Sequence, residues 1–151
     1  MKRHYTDNGD GKITDEQTGL MWEKLSNDGS IHDKGTSYTW AEAFAKVDAL
    51  NTATFAGYTD WRLPNLLELE SLRNLQNVNP AVSPEFNTNC GPNSAGCTVT
   101  TCSCIVPVGY WSSSTYAKNR QDAWSVTFID GYTYAYSKGG YVYVRAVRDG
   151  S

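Results

Sequence analysis

The chain is 151 residues long, with 13 Lys and Arg against 16 Asp and Glu, a formal net charge of -3 and 40% hydrophobic residues. A chain of this length fits one domain, spanning residues 1–151, whose core forms without a metal. A pI near 5.3 argues against nucleic acid and heparin-like polyanions, which need clustered cations, and a mean hydropathy of -0.51 with no long apolar run argues against membrane insertion.

Residues 1–5 are polar and lead into turn residues, so no secretory h-region is expected there. The stretch 7–15 resembles part of a calcium loop, but placing Gly11 at the sixth position puts Thr6 first and Gln17 last, where Asp and Glu belong. It reads instead as a Gly-rich turn delivering short strands around Ile13 and over residues 20–24.

Two helices carry start signals. Thr39 with Glu42, and Asn65 with Glu68, are capping boxes in which each side chain satisfies the other residue's orphan N–H. Trp40, Ala43, Phe44, Val47 and Leu50 then follow helical spacing, as do Leu69, Leu72 and Leu75, so both helices predict a buried stripe. Glu42 and Glu68 read as caps rather than catalytic carboxylates.

Residues 77–107 form a loop-like insertion rich in Asn, Pro, Ser and Thr that holds Cys90, Cys97, Cys102 and Cys104. Two disulfides joining Cys90 or Cys97 to Cys102 or Cys104 are expected, because a Cys102–Cys104 ring is too short for bridge geometry. Free thiols and a four-cysteine zinc site are the alternatives, although zinc spacing is met once, imperfectly, at Cys97 and Cys102. Strands are expected over 109–113, 123–128, 132–137 and 141–148. Turns at Asp130-Gly131 and Lys138-Gly-Gly140 would fold the last three into an antiparallel meander.

Several motifs occur in order: Thr18-Gly-Leu-Met-Trp22, Trp40-Ala-Glu-Ala43, Asp60-Trp-Arg-Leu-Pro64 with Glu68-Leu69, Tyr110-Trp-Ser-Ser113, Ala123-Trp124 and Tyr143-Val-Arg-Ala-Val-Arg148. The set resembles a bacterial family, long carried as a domain of unknown function, that includes the C-terminal domain of a collagen-like adhesin. The resemblance covers nearly the whole chain except residues 90–104. It implies an α+β domain of the C-type lectin-like fold, two helices packed on short antiparallel sheets with long loops, akin to non-catalytic relatives of the formylglycine-generating enzyme. Variable proteins of diversity-generating retroelements share that fold, and the Tyr, Ser, Asn, Asp and Thr scattered between residues 112 and 143 are similar to their rewritten segments.

The residues themselves place a ligand face in the C-terminal segment 109–148. Trp124, Val126 and Phe128 are expected inward and Ser125 and Thr127 outward; Val142 and Val144 inward, Tyr141 and Tyr143 outward. With Thr133 and Ala135 inward, Tyr132, Tyr134 and Tyr136 would join them on one exposed sheet. The loop bearing Tyr116, Lys118, Asn119, Arg120 and Asp122 would border it. Tyrosine offers stiff, amphipathic contact at small entropic cost. Arg62, Arg145 and Arg148 are expected to pair with Asp60 or Glu68, and Trp22, Trp61 and Trp111 to lie in the core.

No enzyme is expected. His4 and His32 stand near no nucleophile motif, and Cys97 and Cys102 precede the Tyr110 motif, the wrong side for the oxidase relatives' cysteine pair. The sugar-binding Glu-Pro-Asn, Gln-Pro-Asp and Trp-Asn-Asp motifs of calcium-dependent lectins are missing. The expected function is therefore binding of a protein or glycan ligand on another cell or particle, with no cofactor, at an extracellular, cell-surface or virion location. Such a module is compatible with an oligomer. The alternatives are an adhesin domain of fixed specificity, or a cysteine-based metal or redox enzyme.

Overall fold

The computed structural model describes residues 4–91 and 94–150. In chain order these form β1 (Tyr5–Asp7), β2 (Lys12–Asp15), β3 (Met21–Glu23), α1 (Trp40–Thr52), α2 (Leu66–Glu70), β4 (Gly109–Thr115), β5 (Asp122–Thr127), β6 (Thr133–Ser137) and β7 (Val147–Arg148). The architecture is α+β, with two helices and two small antiparallel sheets. One sheet runs β1-β2-β3-β7 and the other β4-β5-β6. Trp22 of β3 stands opposite Val147 of β7, so the two ends of the chain meet in one sheet.

Both capping boxes form. The Thr39 hydroxyl accepts from the Glu42 N–H at 3.2 Å while Glu42 accepts from the Thr39 N–H at 2.8 Å, and Asn65 and Glu68 exchange two bonds of 2.9 Å. Helix α1 buries Ala43, Lys46, Val47 and Leu50, whereas Trp40 is half-buried and Phe44 is exposed. Helix α2 is shorter than its apolar spacing predicts. It stops at Glu70, so Leu69 and Leu72 are buried but Leu75 is turned out to solvent.

The β4-β5-β6 sheet is covered on both faces. Tyr110, Val126 and Phe128 pack with Ile13, Trp22, Leu69, Leu72 and Phe86 on one side. Trp111 and Ala123 pack with Val47, Leu50, Trp61, Val142 and Val144 on the other. Residue alternation in a strand sends successive side chains to opposite faces, so β4 and β5 each feed two cores. This corrects the expected one-sided pattern of β5. Ser125 is fully buried, its hydroxyl donating to the Tyr134 carbonyl at 3.3 Å, and Trp124 is only half-buried.

The C-terminal meander is corrected as well. Strand β6 is the sheet edge, and the chain beyond it crosses to the far side of β4, where Tyr143 bridges Tyr110 in parallel and Val142 bridges Tyr38. Only Val147–Arg148 is a strand there, and it belongs to the other sheet.

The segment 77–107 carries more structure than its composition predicts. It includes a 3-10 turn, Pro84–Phe86, whose Phe86 is fully buried, and a bridge between Thr88 and Ser103. Disulfides join Cys90 to Cys104 and Cys97 to Cys102, one nested in the other, with Cα separations of 5.5 and 5.9 Å. All four thiols are thus bonded, leaving no thiolate for a metal.

Candidate ligand-binding face

Small residues on β4 and β5 shape this face. Tyr134 lies beside Ser125 and Tyr136 beside Ala123 in the β5–β6 register. Over these short side chains the two rings lean back across the sheet. The Tyr134 hydroxyl fills the space a Cβ on Gly109 would occupy, and the Tyr136 ring does the same at Gly140. Tyr136 also meets the fully buried Trp111 edge-on at 6.1 Å. On the opposite face of β6, the Thr133 hydroxyl donates to Glu70 at 2.9 Å.

Tyr134, Tyr136, Tyr141 and Tyr143, with Val108, Gly109 and Val142, line a surface depression of about 130 Å³. Tyr132, Tyr136 and Tyr141 are 71%, 40% and 65% exposed, while Tyr134 and Tyr143 are half-buried. The five do not share one sheet face. Because the last segment runs beside β4 rather than β6, Tyr143 packs towards Tyr110, with ring centroids 6.1 Å apart, on the side away from Trp111. It still reaches the depression from its rim.

The loop joining β4 to β5 is tight. Tyr116 and Asp122 are linked by a 3.0 Å backbone bond, the Asp122 N–H donates to Asn119 at 3.0 Å, and the Asn119 side chain accepts from Gln121. Lys118, Asn119 and Arg120 are exposed at its tip, Asp122 is half-buried, and Tyr116 stacks edge-on against Trp124 at 4.9 Å. Of the strand residues placed on the face from sequence, Ser125 is buried. Thr127 is the half-buried last residue of β5 and closes the turn into β6, its N–H donating to the Tyr132 carbonyl and its carbonyl accepting from the Gly131 N–H. Lys138, not anticipated as part of this region, sits 4.0 Å over the Trp40 ring and donates to Thr115 at 3.0 Å, which fixes the turn after β6.

Sequence reasoning also missed a buried ionic cluster. Glu23 accepts from Lys46 at 3.1 Å and from the Ala146 N–H at 3.0 Å, and its other oxygen stands 2.7 Å from His32 Nδ1. Burial alone would raise the Glu23 carboxyl, but the Lys46 charge, the His32 contact and the Ala146 N–H bring it down to about 2. Burial pushes Lys46 below the usual lysine range while Glu23 opposes that shift. The available signal was a lysine one residue before Val47 in an otherwise apolar helix face. Arg145, also fully buried, donates to the carbonyls of Glu23 and Cys104 at 2.6 and 2.7 Å rather than to a carboxylate. The other two arginines pair as the sequence predicts, Arg62 with Glu68 at 2.6 and 2.7 Å and Arg148 with Asp60 at 2.7 and 3.1 Å.

In the 7–15 turn, Asp7 is paired with Lys24 at 2.8 Å and Asp10 with Lys12. Among the described residues the one grouping with metal-ligand proximity is Cys97, Cys102 and Cys104, whose sulfurs are in disulfides.

Fold and face together define a disulfide-bonded α+β domain with an aromatic surface depression. A family model described as the Lcl C-terminal domain matches residues 11–148, and the chain belongs to that family. A comparison with curated proteins gave no match. The two disulfides are consistent with an extracellular protein, and among the described residues no helix is long and apolar enough to cross a membrane.

Proposed function

We propose that this chain is a non-enzymatic binding module of the C-type lectin-like fold, displayed on a cell surface or particle, that recognises a protein or glycan through its tyrosines and the 116–122 loop. The observation that carries this reading is the exposure of Tyr132, Tyr136 and Tyr141, just before, on and after β6, together with a loop tip of exposed Lys118, Asn119 and Arg120. Leaving large rings in water forgoes burial worth roughly 1.5–3 kcal/mol each, and it is binding surfaces that recover such contact. Two helices set on short antiparallel sheets fit the lectin-like reading. The buried position of the Glu23–Lys46–His32 cluster, with Glu23 and Lys46 almost wholly enclosed, suits a structural role better than a catalytic one.

Probing a printed glycan array and a displayed peptide library with the purified domain tests the proposal. Hits competed away by a variant-sensitive face support it, and an absence of hits in both formats counts against it. The scatter of exposed Tyr, Asn, Lys and Arg over a buried Trp111, Ser112, Ser125 and Val126 frame suits a retroelement-diversified protein. A near-copy template repeat beside the gene, with adenines at the codons of those exposed positions, would establish it. Its absence would leave an adhesin of fixed specificity.

A further inference from the structure

Resting on that reading, and narrowing it to a ligand chemistry, we propose that the depression beside β6 is a cage for a quaternary ammonium head group of the choline type. Tyr134 and Tyr136 stand at 85° with centroids 5.9 Å apart, two adjacent walls at a right angle. Tyr141 and Tyr143 complete the lining with Val108, Gly109 and Val142, and no charged residue lines it. The faces of such rings carry the negative end of a quadrupole and attract cations within about 6 Å. A primary ammonium needs acceptors for its N–H groups, and the side-chain acceptors in this lining are phenol oxygens alone. A trimethylammonium has no N–H and spreads its charge over methyl groups, so ring faces satisfy it.

Size and chemistry narrow the choice. At about 130 Å³ the depression is well under the roughly 300 Å³ of pockets that enclose whole ligands, so it takes a head group and leaves the remainder outside. A sugar ring would call for forked polar partners such as Asn, Asp, Glu or Arg, and none lines it. The walls are also held in place. The Tyr134 phenol lies over Gly109, and Tyr136 lies over Gly140 against Trp111, so little ordering remains to be done on binding.

Proton NMR titrations of the folded domain with tetramethylammonium, choline, phosphocholine and 3,3-dimethylbutan-1-ol, the uncharged isostere of choline, test this directly. The N-methyl signal should move upfield and saturate for the cations, with the isostere at least several-fold weaker. Tyr136→Leu and Tyr141→Leu should each weaken choline by roughly 2- to 30-fold. Tyr141 is so exposed that its variant keeps the native melting temperature even if the Tyr136 variant does not. Phosphocholine binding more tightly than choline would point to a phosphate-bearing source, and equal binding to the ammonium alone; either supports the cage. No saturable shift, an isostere equal to choline, or indifference to both leucine variants overturns it. The same variants run on the glycan and peptide arrays keep the two claims apart: array hits lost without any ammonium binding would refute the cage and leave the binding face standing.

Discussion

Lys46 places its ammonium 3.1 Å from a carboxylate oxygen of Glu23, with side chains 1% and 0% exposed, and so links α1 to β3 through the middle of the protein. Removing one partner strands a buried charge. Lys46→Met is therefore expected to cost about 3–5 kcal/mol in urea unfolding, whereas the double change Glu23→Gln with Lys46→Met costs less than the single one. A double variant whose cost equals the sum of the costs of Glu23→Gln and Lys46→Met measured singly would show that the pair is not coupled.

The same carboxylate sets an acid limit. Its folded value of about 2 lies below the ordinary 4.5, so its ionised form stabilises the fold above that value and the contribution is lost as pH falls from 4.5 towards 2. Melting temperature should decline through that window, and Glu23→Gln should flatten the decline. Asp60, which the Arg148 hydrogen bond holds low, also loses its partner on protonation there, so some slope remains.

Non-reducing peptide mapping should return Cys90 joined to Cys104 and Cys97 to Cys102. Removing the outer bridge by Cys90→Ser with Cys104→Ser opens a loop of 14 residues' separation and should cost about 3 kcal/mol. The inner bridge closes a separation of only 5, so its loss should cost less. Four alkylatable thiols in the native protein would contradict both the pairing and the extracellular assignment.

Gly109→Ala drives a methyl group into the Tyr134 hydroxyl, and overpacking of this kind costs about 1–3 kcal/mol. Tyr134→Phe removes the obstructing oxygen and should restore most of that loss in the double variant. No rescue by Tyr134→Phe would mean that the ring does not lie across Gly109.

Local chemistry made much of this protein legible before its fold was seen. The Thr39–Glu42 and Asn65–Glu68 caps, the Arg62–Glu68 and Arg148–Asp60 pairs and the placement of Trp22, Trp61 and Trp111 all rest on short spacing or strong apolarity. What failed depends on long-range partners. Period-two alternation in β5 could say that Ser125 and Val126 face opposite ways, but not that a second core covers the serine side. The turn at 138–140 predicts a reversal, yet which edge the returning chain takes is decided by Tyr38 and Gly109, far away in sequence. Lys46 and Glu23 carry no mark of burial in isolation, because only their mutual distance makes it tolerable.

The central claim is that exposed tyrosines bind rather than stabilise, and Tyr132→Ser and Tyr141→Ser made together test it most directly. Residues this exposed contribute little to the core, while truncating a binding anchor costs on the order of 2 kcal/mol or more. Thermal melting by circular dichroism, with the glycan and peptide arrays as binding probes, reads both effects on one sample. The expected result is a melting temperature within a few degrees of the parent and loss of its array hits. A variant that unfolds, or one that stays folded and keeps every hit, would contradict the assignment.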